Sequence, residues 1–234
     1  MQTDVINFDW NFNSNDWDSL RVGKDIAYFR LKKLMSEFVW DITYLEGNTY
    51  DFVEVQTLLE GITIGGHFLS EQKQVLNQYQ SLKYLMDLVR QDNFCFGSKV
   101  ILAAHNLIAE EEAQEWGCLR KGEVRISGTE HQPPRAEKLS DLLEQGVVAI
   151  QNIAHPVERA LVYFCFGSLN QFFYDGNKRT SRWTMNGLLM SHGYNYLSVP
   201  GRDKEIFIQL MIDFYNSKNA TEVMKYLRSC YVID

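Results

Sequence analysis

The stretch Gln171-Phe172-Phe173-Tyr174-Asp175-Gly176-Asn177-Lys178-Arg179-Thr180-Ser181-Arg182 decides the reading of this chain. Gly176-Asn177 supplies a turn and an N-cap, and Met185, Leu188, Leu189 and His192 then recur at helical spacing, so a helix is expected over about Lys178 to His192. Its first turns hold Lys178, Arg179 and Arg182. Cations at the positive end of a helix dipole are each unfavourable by roughly a few tenths of a kcal/mol or more. A bound anion reverses that sign, because the exposed N–H groups of a helix start already attract negative charge. Asp175, just before the turn, is suited to a divalent cation that accompanies a polyphosphate. Solvated charges behind a capping asparagine account for the same residues, and on the segment's physics alone the two readings stand level.

Working outward, Pro156 to Asn170 reads as a helix with Pro156 in its first turn and Val157, Ala160, Leu161, Phe164 and Cys165 on one face. Far upstream, Tyr28, Leu31, Leu34, Met35, Phe38, Val39, Ile42 and Leu45 predict one helix that stops at Gly47-Asn48. Glu46 sits in its last turn, facing the negative end of the dipole, which is the opposite anomaly to the cationic helix start. A Glu46–arginine pairing would relieve both. Further helices are expected over Phe52 to Leu59, Glu71 to Val89, Ser98 to Glu115, Ser140 to Asn152, Asp203 to Tyr215 and Thr221 to Cys230. The one extended piece is Val124 to Gly128, followed by Thr129 to Pro134, where Pro133-Pro134 forbids a helix. The pattern predicts a mainly α, all-α-class chain with one short hairpin-like excursion.

Composition bounds the function. With 234 residues, 45% of them hydrophobic and only four prolines, the chain has apolar surface enough for a single core, and disorder is excluded. A net charge of −7 argues against nucleic acid as a partner. The excess is uneven: residues 1–60 carry 11 acids and 5 bases, the remainder 19 and 18, so any anion site belongs to the second part. Cys95, Cys118, Cys165 and Cys230 form no CxxC pair and fit reduced thiols in the cytoplasm. No signal peptide is visible, and the longest apolar run, Ala160 to Phe166, is too short for a bilayer, so no membrane partner is expected.

Residues 171–182 resemble the signature of the Fic family, His-x-Phe-x-Asp/Glu-Gly-Asn-Gly/Lys-Arg-x-x-Arg. Leu45 to Thr49 resembles the inhibitory helix of one Fic subclass, Glu71 to Leu85 the helix after it, and Arg120 to Pro134 the flap on which targets dock. The resemblance implies a single domain over 1–234. An N-terminal region, 1–49, carries the inhibitory helix, the Fic core spans about 50–200, and C-terminal helices fill 201–234. A short β-hairpin flap is implied near 118–134. It also implies transfer of AMP from ATP to a protein hydroxyl. Asp175 would ligate Mg²⁺, and Gly176, Asn177 and Lys178 would cradle the α- and β-phosphates. Arg179 would reach the β-phosphate and Arg182 the γ-phosphate, while Glu46 would pair with Arg182 and hold ATP, or ADP, from its productive pose. Ile126, Gly128, Thr129 and His131 would form the flap that meets a protein target, and a homodimer is a further option.

Gln171 departs from the pattern, standing where the family has its catalytic histidine. The imidazole serves as general base, whereas an amide hydrogen-bonds and positions but has no accessible protonated form. The resemblance therefore implies weak or absent AMP transfer. A non-catalytic interaction module is one alternative. Another is altered chemistry, with Lys178 pointing to phosphate transfer as in Doc proteins and Glu46 to hydrolytic removal of AMP.

Overall fold

The computed structural model describes residues 5–13 and 17–231, and the extreme ends of the expected 1–234 domain lie outside them. Ten α-helices occur in the described residues: α1 (Lys24–Lys33), α2 (Met35–Leu45), α3 (Phe52–Leu59), α4 (Leu69–Arg90), α5 (Ser98–Ile108), α6 (Leu139–Gln151), α7 (Pro156–Asn170), α8 (Asn177–Ser191), α9 (Lys204–Ser217) and α10 (Thr221–Ser229). The spine is α7. Pro156 opens it, His155 Nδ1 accepts the Val157 N–H at 3.2 Å, and every residue from Ala160 to Asn170 is buried. A helix apolar on all sides has no choice but the core. Next to it runs α8, held close because Gly167 has no side chain; a Cβ there would lie 2.3 Å from Ser181 Oγ. Against α8 also packs α4, which touches α1, α2 and α5 as well and buries Val75, Leu82 and Leu85.

The described part of the N-terminal arm straps the far end. Asp9 pairs with Asn219 in the only β-bridge among the described residues, and Phe8 meets the Phe214 ring edge-on. Trp10 Nε1 donates to Glu158 at 2.9 Å.

Three elements differ from their sequence expectation. The helix expected from Tyr28 to Leu45 is two, parted at Leu34, whose φ of −100° and ψ of 16° leave helical geometry for one residue. The helix expected to reach Glu115 ends at Ile108, and Glu111 takes a positive φ of 61° so that Glu112 turns inward. Three successive glutamates read as a solvated helical face; a buried partner for one of them overrides propensity. Finally, residues 118–134 form no strand pairing. The guanidinium of Arg120, 2% exposed, closes this loop instead: it donates to the Gly122 carbonyl at 2.6 Å and to that of Pro134, joining both ends of the segment.

Candidate functional site

Three helix ends converge on one cavity. The first is the C-terminus of α2, which finishes in a Schellman arrangement: Asn48 N–H reaches Thr43 O and Gly47 N–H reaches Tyr44 O, both at 3.1 Å, with Gly47 at φ 94°. Glu46 is thereby fixed as the cap residue. Its Oε1 lies 2.8 Å from Arg182 Nη2 and its Oε2 3.4 Å from Lys178 Nζ. Burial alone would raise this carboxyl, but Lys178, Arg182 and Arg179 outweigh burial and hold it at about 2. It is a carboxylate at any physiological pH.

The second end is the C-terminus of α7. Gln171 caps it in the left-handed region, φ 48° and ψ 62°. Both ends of its amide are engaged, with Nε2 donating to Ser168 O at 2.7 Å and Oε1 accepting from Asn177 Nδ2 at 3.1 Å. The Gln171 carbonyl accepts from Arg120 Nε at 2.6 Å, so one arginine ties the flap to the motif.

The third is the N-terminus of α8. Gly176, at φ 74°, is its cap residue, and Asn177 is its first helical residue rather than the expected cap. The Asn177 side chain instead grips Phe173, donating to its carbonyl at 2.8 Å and accepting its N–H at 2.9 Å. Asp175 Oδ1 accepts the Gly176 N–H at 2.6 Å, and the Asp175 side chain is otherwise largely exposed.

Residues from all three ends, with Arg125, Ile126 and Ser127 of the flap, line a cavity of about 430 Å³. Its opposite wall is the apolar face of α9, from Phe207 to Tyr215. Glu46, Gln171, Asp175, Gly176, Asn177, Lys178 and Ile126 all reach this space. Arg179 and Arg182 do not line it. Arg179, 3% exposed, donates through Nη1 to Glu112 at 2.7 Å, and Arg182, 3% exposed, lies behind Glu46. Arg179 Nε and Arg182 Nε and Nη1 are buried with no hydrogen-bond partner among the described residues. Gly128, Thr129 and His131 border a separate, more open cavity with Tyr215, Asn216 and Lys218.

Two residues in this site carried no sequence signal. Glu112 is hidden in an acidic run, yet it also accepts from Gln74 and Asn77 at 3.0 Å each, a set that fixes the Arg179 guanidinium. His105 is fully buried and stacked on Phe173 with ring centroids 3.6 Å apart. Its Nδ1 accepts from the Gly117 N–H, so Nε2 donates to the Asp175 carbonyl at 3.0 Å. Burial pushes this imidazole down to about 4, so it is a neutral brace for the loop before α8.

Among solved structures, the C. elegans Fic-1 protein superposes with a TM-score of 0.76 at 20% identity, covering 88% of this chain and 63% of that one. A Fic domain containing signaling protein from Bacteroides thetaiotaomicron does so with a TM-score of 0.71 at 22% identity, covering 92% and 89%. These likenesses define the fold. Residues 95–189 match the Fic/DOC family model. Curated relatives include the protein adenylyltransferase Fic of Drosophila mojavensis, 24% identical over 91% of this chain, and that of Drosophila yakuba, 26% identical over 91%. The chain spans about two fifths of the length of these relatives.

Proposed function

We propose that the cavity at the start of α8 binds ATP, with ADP as a competing ligand, and that the chain moves AMP from it to a protein hydroxyl only slowly. The observation that carries this reading is Arg182, a buried guanidinium with Glu46 as its one hydrogen-bond partner among the described residues and two N–H-bearing nitrogens unmet. Buried charge left underpaired is costly, and an anion that completed the shell would remove the cost. The uncapped α8 N-terminus and Lys178 beside it add to the pull on phosphate.

Asp175 fits a divalent cation of the Mg²⁺ kind, which takes oxygen ligands, keeps several waters and is completed by phosphates, so one exposed carboxylate is donor enough. Mg²⁺ there would neutralise charge on the phosphates. Glu46, ionised, competes with phosphate for Arg182 and Lys178, and Arg179 would have to exchange Glu112 for phosphate. At the position of the family's imidazole, the Gln171 amide donates and accepts hydrogen bonds but does not titrate near neutral pH, and both its ends are already engaged by Ser168 and Asn177. The attacking hydroxyl therefore lacks a base. The flap around Ile126 would receive the protein target, in the cytoplasm as the free cysteines suggest.

Calorimetry with Mg²⁺ and ATP, and a labelled-AMP self-modification assay, test this on the natural chain, Glu46→Gly, Gln171→His and the double variant. Glu46→Gly should bind ATP at least about tenfold more tightly. The double variant should exceed Glu46→Gly in transfer by about two orders of magnitude, the worth of a general base. Absence of nucleotide binding in both the natural chain and Glu46→Gly refutes the reading.

A further inference from the structure

A second chemical cluster lies where the later part of the flap meets the end of α9. An open cavity of about 780 Å³ is bounded by Gly128, Thr129, Glu130 and His131 on one side and by Tyr215, Asn216 and Lys218 on the other. Lys218 caps α9 in the left-handed region at φ 58°, where glycine or asparagine is the cheaper residue. The N-terminal arm fixes it there, the Asp9 N–H donating to the Lys218 carbonyl at 2.8 Å.

The Lys218 side chain donates to His131 Nδ1. The tautomer of His131 is forced, because its Nε2 lies 2.9 Å from the Leu169 carbonyl oxygen, which only accepts. Nε2 therefore holds the proton, and the Nδ1 lone pair points at the lysine nitrogen. Burial pushes the Lys218 amine down to about 8, and burial likewise lowers His131. Glu130 and Tyr215 are the other titratable groups lining the space. A fraction of Lys218 is thus neutral near physiological pH, beside a neutral imidazole whose Nδ1 lone pair is turned to its nitrogen.

We propose that Lys218 is an acylation site, an amine nucleophile for acyl thioesters with His131 as its base. The neutral Nζ attacks the thioester carbonyl carbon; an N–C bond forms, the C–S bond breaks and the thiolate leaves. The proton lost from nitrogen passes to His131 Nδ1 and then to the thiolate, giving an amide and a free thiol. Ordinary surface lysines lack this setting: Lys225, for example, is largely exposed and pairs with the Glu222 carboxylate.

The test exposes the full chain, near pH 7.5, to S-acetyl-N-acetylcysteamine, a thioester without phosphate, and follows each lysine by peptide mass spectrometry. Lys218 is expected to acetylate about tenfold faster than Lys99 and Lys225 in the same molecule. His131→Gln keeps a donor for Leu169 and an acceptor for Lys218 but takes up no proton, and it should slow Lys218 several-fold toward the rate of the exposed lysines at an unchanged melting temperature. Equal rates at Lys218 and the exposed lysines of the natural chain overturn the proposal, and so does a His131→Gln variant in which Lys218 reacts as fast as before. Neither outcome bears on nucleotide binding, since the probe carries none of its chemistry.

Discussion

Asp41 and Glu46 lie toward the same end of α2, and their surroundings drive them in opposite directions. Glu46 is outnumbered by cations. Asp41, 6% exposed, is pushed up to about 6 by burial, which outweighs the Gly201 N–H at 2.7 Å and the Ser198 hydroxyl at 3.0 Å that favour its charge. The folded chain therefore binds this proton at a pH where the unfolded chain has released it, so stability falls as pH rises from about 4 through about 6 and then levels. The loss is about 2–3 kcal/mol at about 1.4 kcal/mol per pKa unit. Asp41→Asn keeps an acceptor for Gly201, and the serine hydroxyl rotates to accept from the amide. Urea denaturation should show the variant gaining on the natural chain by that amount between pH 4.5 and 7.5; a difference independent of pH speaks against the burial argument.

At the scale of elements, the flap shows how one side chain substitutes for a ladder of backbone bonds. Arg120 holds the carbonyls of Gly122, Pro134 and Gln171, so Arg120→Met strands three acceptors and a loop. The expected cost is about 3–5 kcal/mol, read as a lower denaturation midpoint, with amide exchange accelerated over residues 122–134 before the helices open. Uniform acceleration across the chain would show that Arg120 serves the whole core and not the flap. That the flap is not helical was legible from Pro133-Pro134, but neither the absence of strand pairing nor its closure was, since a buried arginine and a solvated one read alike in sequence. The helices α3 and α7 were legible to the residue because apolar periodicity and capping agree at both ends. Past Ile108 propensity and tertiary pairing disagree, and the inward turn of Glu112 wins. In the site, the residues on the Gly176 turn could be read from local rules, and Glu46 from its conflict with the helix dipole. His105 and Glu112 could not, because their partners are distant in sequence and neither breaks a local rule.

Across the whole molecule, four charged residues stand where water does not: Asp41, Arg120, Arg179 and Arg182 are buried among the described residues. The acidic first 60 residues supply Glu46 to a cationic helix start from the near-neutral remainder, and no helix of the described residues is long and apolar enough to cross a membrane. The unmet nitrogens of Arg179 and Arg182 also have a thermometric consequence. A ligand that satisfies them only in the folded chain adds RT ln(1 + [L]/Kd) to stability, about 2.7 kcal/mol at a hundredfold excess over Kd. For a chain of this length that is a rise in melting temperature of roughly 5–10 °C. Polyphosphate ligands should produce it with Mg²⁺, more strongly in Glu46→Gly than in the natural chain, and adenosine should not. Nucleotides that differ only in the base can then be ranked by melting alone, so that the defect in the interior becomes the instrument that identifies what fills it.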